Sequence, residues 1–486
     1  MAGLREFHHF LSLSPPDFFS RSTFISFHKN HLRHLHPHHH HHVVLQSASR
    51  IVSASASASA SASSSADYSG QLLDSQTKKK KKKERIAGID QDELVEPTVL
   101  ADPDSCFCEF KGVHIHHKIY DAEIEGNNKS LQSQRVFKKI GLPMILLHGF
   151  GASVYSWHRV MKALAEVVGS KVLAFDRPAF GLTSRLNLFD QSASRNGDAK
   201  PLNPYSMAFS VLATLYFIDL LGAQKAILVG HSAGSLVAVN AYFEAPERVA
   251  ALILVAPAIV APLIVHKEAV MGNPLGGDNQ IQEDSSNSKS LGNPFVRLCN
   301  ILARFSTLVS QAIMKMVKGM ANMLNSFYKK LLSSILRSAF AVMLVRMIID
   351  KFGIAAVKNS WHDSKLVTEH VLEGYTKPLR TKNWDRALVE YTAAMLTDTA
   401  PESNPPLSKR LHEISCPVLI VTGDNDRLVP AWNTERLSRA IPGSCFEVIK
   451  HCGHLPHEEK VDEFISIVQK FLQSAFNSDS EKQHSE

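Results

Sequence analysis

Lys225-Ala-Ile-Leu-Val-Gly-His-Ser-Ala-Gly-Ser-Leu-Val237 is the stretch that decides the fold. The apolar, β-branched run Ala226 to Val229 stops at Gly230, a helical pattern from Ser235 to Phe243 starts just past Gly234, and Ser232 sits between them. Gly230-His231-Ser232-Ala233-Gly234 has the spacing G-x-S-x-G, in which neither glycine carries a Cβ that would block a sharp strand-to-helix turn. Such a turn pushes the serine hydroxyl outward and aims the amide of Ala233, at a helix start, toward the same spot. Alone, the five residues also fit a tight turn with an idle serine.

Working outward, Pro143 to Leu147 is wholly apolar, as a strand buried on both faces should be, and ends in His148-Gly149-Phe150-Gly151-Ala152-Ser153. A helix to about Val168 follows, then a strand from Val172 to Phe175 leading into Asp176-Arg177-Pro178, whose two charges read as a structural ion pair or turn clamp. A polar loop, 187–203, and a helix from Tyr205 to Leu221 return the chain to the opening strand. Ala250 to Val255 and, much later, Pro417 to Val421 are further strands. Phe107 to Phe110 and Val113 to Tyr120 read as a β-hairpin, with His114, His116 and His117 on a solvated sheet face rather than around a metal. Order is expected to begin near Asp104. Strands alternating with helices predict a parallel sheet covered on both faces, with chemistry at the carboxyl ends of its strands.

A serine hydroxyl is a poor nucleophile at neutral pH: it needs a base, the base an orienting carboxylate, and the oxyanion donors. Thr422-Gly423-Asp424-Asn425-Asp426 follows one strand, and His451-Cys452-Gly453-His454-Leu455-Pro456-His457-Glu458 follows the run Cys445 to Ile449. Serine, acid and histidine thus occur in the order this topology requires.

These motifs resemble those of α/β-hydrolase-fold proteins, in a branch holding many plant plastid hydrolases, over about half the chain (105–260 and 380–475). The resemblance implies Ser232 as nucleophile, Asp426 as acid and His454 as base. Asp424 is then a turn cap, and His451 and His457 are the competing bases set aside because the family places its histidine directly after glycine. Phe150 and Ala233 would lend backbone N–H groups to the oxyanion hole. The implied fold is α/β, with a mostly parallel central sheet flanked by helices and a helical cap inserted after the sixth strand. Haloalkane dehalogenases and epoxide hydrolases of this fold need an aspartate where Ser232 stands, so neither chemistry is expected. No cofactor and no metal is called for.

Charge and cysteine usage narrow the setting. The formal charge is +7, but residues 1–86 hold 12 Lys+Arg and 5 Asp+Glu, and the rest of the chain 41 of each, so nothing argues for nucleic acid as partner. Six cysteines in 486 residues make no disulfide framework and read as buried free thiols in a reducing compartment. Residues 1–66, rich in Ser, Ala and His and poor in acids, resemble a transit peptide, with the plastid favoured over the mitochondrion and His38 to His42 read as padding. A Lys-rich linker (67–104, with six lysines from Lys78 to Lys83) then leads to the hydrolase core, 105–260 and 397–476, with a tail at 477–486.

The remaining stretch, 261–396, reads as the cap, far longer than a loop. Its 272–293 part is Gly/Ser/Asn/Asp-rich and is expected to be disordered. From Phe295 to Ile349 it is apolar and helical in pattern, with eight basic residues and no acid; seven of the eight fall within about 120° if the helix continues, although Gly319 predicts a break. Two readings remain open: a cap with a solvated basic face, or a lid (295–349) resting on an anionic membrane. Arg337 and Arg346 argue against a membrane span. The expected activity is hydrolysis of a small hydrophobic, lipid-like carboxylic ester. The alternatives are a hydrolase-fold receptor for a small molecule, and acyl transfer or carbon–carbon bond hydrolysis on the same triad.

Overall fold

The computed structural model describes residues 84–122, 140–185, 202–262, 294–397 and 405–482, with side chains left aside for 294–310, 312–313 and 477–482. The transit-like segment, the lysine run, most of the polar loop at 187–203 and the 272–293 segment lie outside the described residues.

Eight strands form one sheet. In chain order, after a two-stranded ribbon of β1 (Arg85–Ile86) and β2 (Ile89–Asp90), they are β3 (Cys106–Phe110), β4 (Val113–Asp121), β5 (Met144–Leu147), β6 (Lys171–Phe175), β7 (Ala226–His231), β8 (Val249–Val255), β9 (Val418–Gly423) and β10 (Cys445–Ile449). Their spatial order is β10-β9-β8-β7-β5-β6-β4-β3. β5 to β10 are mutually parallel, and the β3–β4 hairpin is added antiparallel at one edge. From β5 the chain steps outward to β6 and then crosses back to β7 on the other side of β5. The carboxyl ends of β5 and β7 therefore flank a crevice where the winding reverses, the place where α/β sheets bind ligands.

Alternation along the strands builds two cores. Ile145, Leu147 and Leu228 point to one face, where α2 (Met207–Leu220) and α3 (Ala233–Glu244) bury Phe209, Phe217, Val237 and Tyr242. Met144, Leu146 and Val229 point to the other, against Met161 and Leu164 of α1 (Met161–Val168) and Phe464, Val468 and Leu472 of α9 (Val461–Lys482). Each fully buried aliphatic side chain contributes about 1.5–3 kcal/mol, so a sheet covered on both faces is held chiefly by these layers. The helix α9 extends the fold into the expected 477–486 tail as far as Lys482.

Between β8 and β9 lies the cap: α4 (Pro294–Leu336), α5 (Ala339–Ser360), α6 (Glu369–Thr376) and α7 (Trp384–Thr397). The expected break at Gly319 is absent. A glycine inside a helix costs only about 1 kcal/mol, which the surrounding good helix formers absorb. The helix ends instead where the Ser338 hydroxyl caps α5 by accepting from the Ala341 N–H at 3.3 Å, and where Arg337 turns to pair with Glu390 of α7 at 2.9 Å. α8 (Ala431–Ala440) then returns the chain to β10.

Three sequence expectations need correction. The described fold already includes Glu84, upstream of the expected start near Asp104, and residues 84–104 are a strap across the cap rather than a linker: Ala87 N–H donates to Asp350 (2.9 Å), the Trp384 indole donates to Gln91 (3.0 Å), and Val95 pairs with the backbone of Arg380 and Lys382 (2.9 and 3.0 Å). His116 and His117 are buried, not solvated. His116 bridges Ser105 (2.8 Å) and Asp176 (2.6 Å), and the His117 ring packs on Phe217. Of the described thiols, all free, only Cys452 is buried; Cys106 and Cys445 are exposed.

Asp176 is a turn clamp, but the side chain bonded to it is His116 and not Arg177. Its carboxylate also accepts from the N–H groups of Val154 (2.6 Å) and Leu182 (2.7 Å). Burial opposes the charge, yet His116, His148 and the Leu182 amide hold the carboxyl down at about 2.

The joint between cap and sheet contains a buried carboxyl. Glu458, fully buried, accepts a hydrogen bond from the Tyr375 hydroxyl at the end of α6, and Arg159 donates to the Glu458 carbonyl. Burial outweighs the Tyr375 bond and raises the Glu458 pKa to about 8. A carboxyl raised in the folded state stabilises the fold below its unfolded value, near 4.5, and loses that contribution as pH climbs through its folded value. Between pH 5 and 8 the unfolding temperature of the wild-type chain should therefore fall by a few degrees more than that of Glu458→Gln, measured by calorimetry in matched buffers. Equal slopes would show that Glu458 ionises freely in the folded protein.

Candidate active site

Ser232 follows β7 and immediately precedes α3, with φ 51° and ψ −118°, a backbone conformation that costs a non-glycine residue on the order of 1–3 kcal/mol. Its surroundings hold it there. The Ser232 N–H donates to the Val255 carbonyl at 2.9 Å, and its own carbonyl accepts from Ser235 and Ala258. The flanking glycines serve close approach: a Cβ on Gly230 would lie 2.6 Å from the Gly234 carbonyl oxygen, and one on Gly234 would lie 2.1 Å from that of Leu147. The helix start can thus press against the end of β5. Ala233 opens α3, so its N–H has no acceptor within the helix.

Across the crevice runs the loop after β5. A Cβ on Gly149 would fall 3.1 Å from Ser232 Cβ and 2.9 Å from His231 Nδ1, so this loop lies directly against the serine turn and Phe150 follows at its rim, with its side chain 56% exposed. His148 is fully buried. Its Nδ1–H donates to the Gly149 carbonyl at 2.7 Å and its Nε2 accepts from the Arg177 N–H at 3.1 Å; burial, reinforced by the Arg177 charge, lowers its pKa to about 3, so the ring is neutral.

His454 and Asp426 meet as the sequence order suggests. His454 Nδ1 donates to Asp426 Oδ2 at 2.8 Å with both side chains almost wholly buried. The other carboxylate oxygen, Oδ1, accepts from the N–H groups of Leu428 (2.8 Å) and Val429 (2.9 Å), which fixes the carboxylate plane and leaves one oxygen for the imidazole. Nε2 of His454 is then the nitrogen available for proton transfer. The competing histidines are elsewhere. His451 is exposed and lies beside His362, while His457 is buried against Trp157 with its pKa lowered to about 3 by burial first and His454 second. His457 Nε2 is 3.9 Å from Glu458 Oε1, but a neutral imidazole beside a protonated carboxyl makes no ion pair. Asp424, expected to cap its own turn, instead accepts from the Cys452 N–H at 3.3 Å, a bond that ties the loop after β9 to the histidine loop.

Two supporting residues escaped the sequence reading. His231, inside the G-x-S-x-G turn, is buried, and its Nε2 donates to the His454 carbonyl at 3.0 Å, tying the serine turn to the histidine loop. Burial, then the neighbouring His457 and His454, lowers its pKa well below the usual imidazole value and keeps it neutral. Arg177, 1% exposed, extends Nη2 to the carbonyls of His148 (3.0 Å) and Gly149 (3.3 Å) and Nη1 to the Tyr391 hydroxyl of α7 (3.4 Å). Its guanidinium lies over the rings of Phe180 and Tyr391. It braces the Phe150 loop from below and links it to the cap. A strand-end arginine was visible in the sequence; its partners, two carbonyls and a tyrosine over 200 residues away, were not. The arrangement can activate a hydroxyl and stabilise an oxyanion. Among the described residues no group of three or more His, Cys, Asp or Glu could hold a metal ion.

Comparison with known proteins agrees with this architecture. The model of the alpha/beta hydrolase family matches residues 144–467, the span that contains the serine turn, the Phe150 loop, Asp426 and His454. A 2-hydroxy-6-oxononadienedioate/2-hydroxy-6-oxononatrienedioate hydrolase from Klebsiella pneumoniae is 24% identical over 334 residues, covering 68% of this chain and 87% of that protein. The 2-hydroxy-6-oxo-6-phenylhexa-2,4-dienoate hydrolase of Comamonas testosteroni is 24% identical over 339 residues, covering 68% and 88%. Among solved structures, the meta-cleavage product hydrolase of Pseudomonas fluorescens shares 17% identity at a TM-score of 0.44, covering 76% of this chain and 98% of that one. These relatives are bacterial and do not bear on the plant plastid branch. With the family model matched over about two thirds of its length, this chain belongs to the alpha/beta hydrolase family.

Proposed function

We propose that this hydrolase cleaves carboxylic esters with a hydrophobic acyl or alcohol part through Ser232, His454 and Asp426. The observation that carries the reading is the buried His454–Asp426 hydrogen bond, with the second carboxylate oxygen locked by two amides, in a loop joined through His231 to the strained Ser232 turn. In this mechanism His454 takes the Ser232 proton, and Asp426 holds the tautomer and stabilises the imidazolium. The serine oxygen attacks the ester carbonyl, and the N–H groups of Phe150 and Ala233 receive the oxyanion. His454 then protonates the departing alcohol, and water, activated by the same imidazole, releases the acid. One oxyanion donor contributes about 3 kcal/mol to such a transition state.

The aromatic rim supports an uncharged substrate: Phe150 packs against Phe180 and Tyr391, and the nearby buried cation, Arg177, is already engaged by carbonyls. A second reading, carbon–carbon bond hydrolysis on the same three residues, is favoured by the similarity to hydrolases named for 2-hydroxy-6-oxo-dienoates. Acyl transfer and a receptor role rest on no specific observation. Residues 1–66 fit a plastid address by composition.

A panel of p-nitrophenyl esters of rising chain length, run beside 2-hydroxy-6-oxo-6-phenylhexa-2,4-dienoate, separates the two chemistries: ester turnover with no cleavage of the dienoate is expected, and the reverse pattern establishes the second reading. Ser232→Ala should lose fluorophosphonate labelling and at least about a thousandfold in turnover. Equal labelling of both proteins would reject the nucleophile. His454→Ala should lose activity to a similar extent while His451→Ala keeps most of it; the opposite result would move the base. A fluorescent protein fused to the C-terminus of the full chain should co-localise with chlorophyll in leaf protoplasts and become diffuse when residues 1–66 are deleted, whereas a diffuse signal from both would reject the address.

A further inference from the structure

Helix α4 has an apolar face that no described residue covers. It runs for 43 residues, about 64 Å, and just past its C-terminal end Arg337 meets Glu390 of α7. Along the part whose side chains are described, Met316, Met320, Met323, Leu324, Phe327 and Leu331 fall within about 100° of arc, and all six are exposed, Met316 at 71% and Phe327 at 67%. Lys315, Lys318, Lys329 and Lys330 fall on the other side of the helix, with Asn322, Asn325 and Ser326 among them. An apolar stripe of this size is costly in water and is not the rule on a soluble surface, where contiguous apolar patches mark interaction sites.

We propose that α4 is an interfacial helix that lies on an anionic lipid bilayer, its Met/Leu/Phe face in the acyl boundary and its lysines among the phosphates. Charge identifies the occupant. Phe295 to Ile349 holds eight basic residues and no acid, and Arg337 and Arg346 meet Glu390 and Asp385 within the cap, so every charge that the sequence places on α4 itself is positive. A second copy of the helix would cover the apolar face only by bringing lysines together with no carboxylate between them. Anionic headgroups neutralise the same lysines, and unbranched, polarisable methionines adapt to a fluid partner. Among the described residues no helix is long and apolar enough to cross a membrane, so the contact is peripheral. The helix belongs to the cap that adjoins Ser232, so docking would bring the hydrolase to a source of hydrophobic esters.

The test is co-sedimentation of the purified full chain with vesicles of phosphatidylcholine alone and of phosphatidylcholine containing about 30% phosphatidylglycerol. Binding to the anionic vesicles, weakened by salt, is expected. Met320→Glu combined with Phe327→Glu should weaken it by about tenfold or more with an unchanged unfolding temperature, because both side chains are exposed, and replacing the four lysines by Gln should weaken it likewise. Ser232→Ala should bind as the wild type does, so the result stands whether or not the catalytic reading holds. Absence of wild-type binding, glutamate variants that bind as the wild type does, or a vesicle-independent dimer that those glutamates dissociate would overturn the proposal.

Discussion

The contact on which the site depends is backbone against backbone: the start of α3 lies so close to the carbonyl of Leu147 that position 234 has no room for a methyl group. This packing sets the direction in which the chain leaves β7 and forces Ser232 to a positive φ. The strain is small beside the two apolar layers that clamp the sheet, and a well-filled core is what allows such a conformation to persist. Stability made in the layers in this way holds a half-buried serine in a strained backbone conformation at the end of β7.

The histidine side of the site is governed by the cap as much as by the sheet. The His454 N–H donates to the carbonyl of Ser360, the last residue of α5, at 2.7 Å. Glu459 bridges the N–H groups of Gly453 and His362 at 2.9 and 2.8 Å, and Tyr375 reaches Glu458 from α6. Arg177 makes the corresponding link for the Phe150 loop through Tyr391. Both halves of the candidate site are therefore referenced to cap residues. A cap that only covered the substrate would need none of these bonds.

The sheet, the serine turn and the order of acid and base were legible in the sequence because each is a local pattern. Strand periodicity and paired glycines act over fewer than ten residues. What the sequence hid depends on distant partners. His116 reads as a surface residue until Asp176 and Ser105 are brought to either side of it, and residues 84–104 read as linker until Trp384 and Thr381, nearly 300 positions on, supply an indole and a backbone edge. Gly319 misled for another reason: a propensity of about 1 kcal/mol is a weak argument inside a helix of 43 residues, whereas a capping serine with an ion pair beside it ends one. Composition also suggested the buried thiols, of which the described fold keeps one.

The strap has a consequence for how the chain can be trimmed. Composition reads residues 67–104 as a linker, but a cut at its end would strip the cap of the backbone that pairs with Arg380 and Lys382 and of the amide group that receives the Trp384 indole. A shortened chain that keeps these bonds, together with the hydrogen bond from the Gln91 N–H to the Glu84 carbonyl, has to begin no later than Glu84.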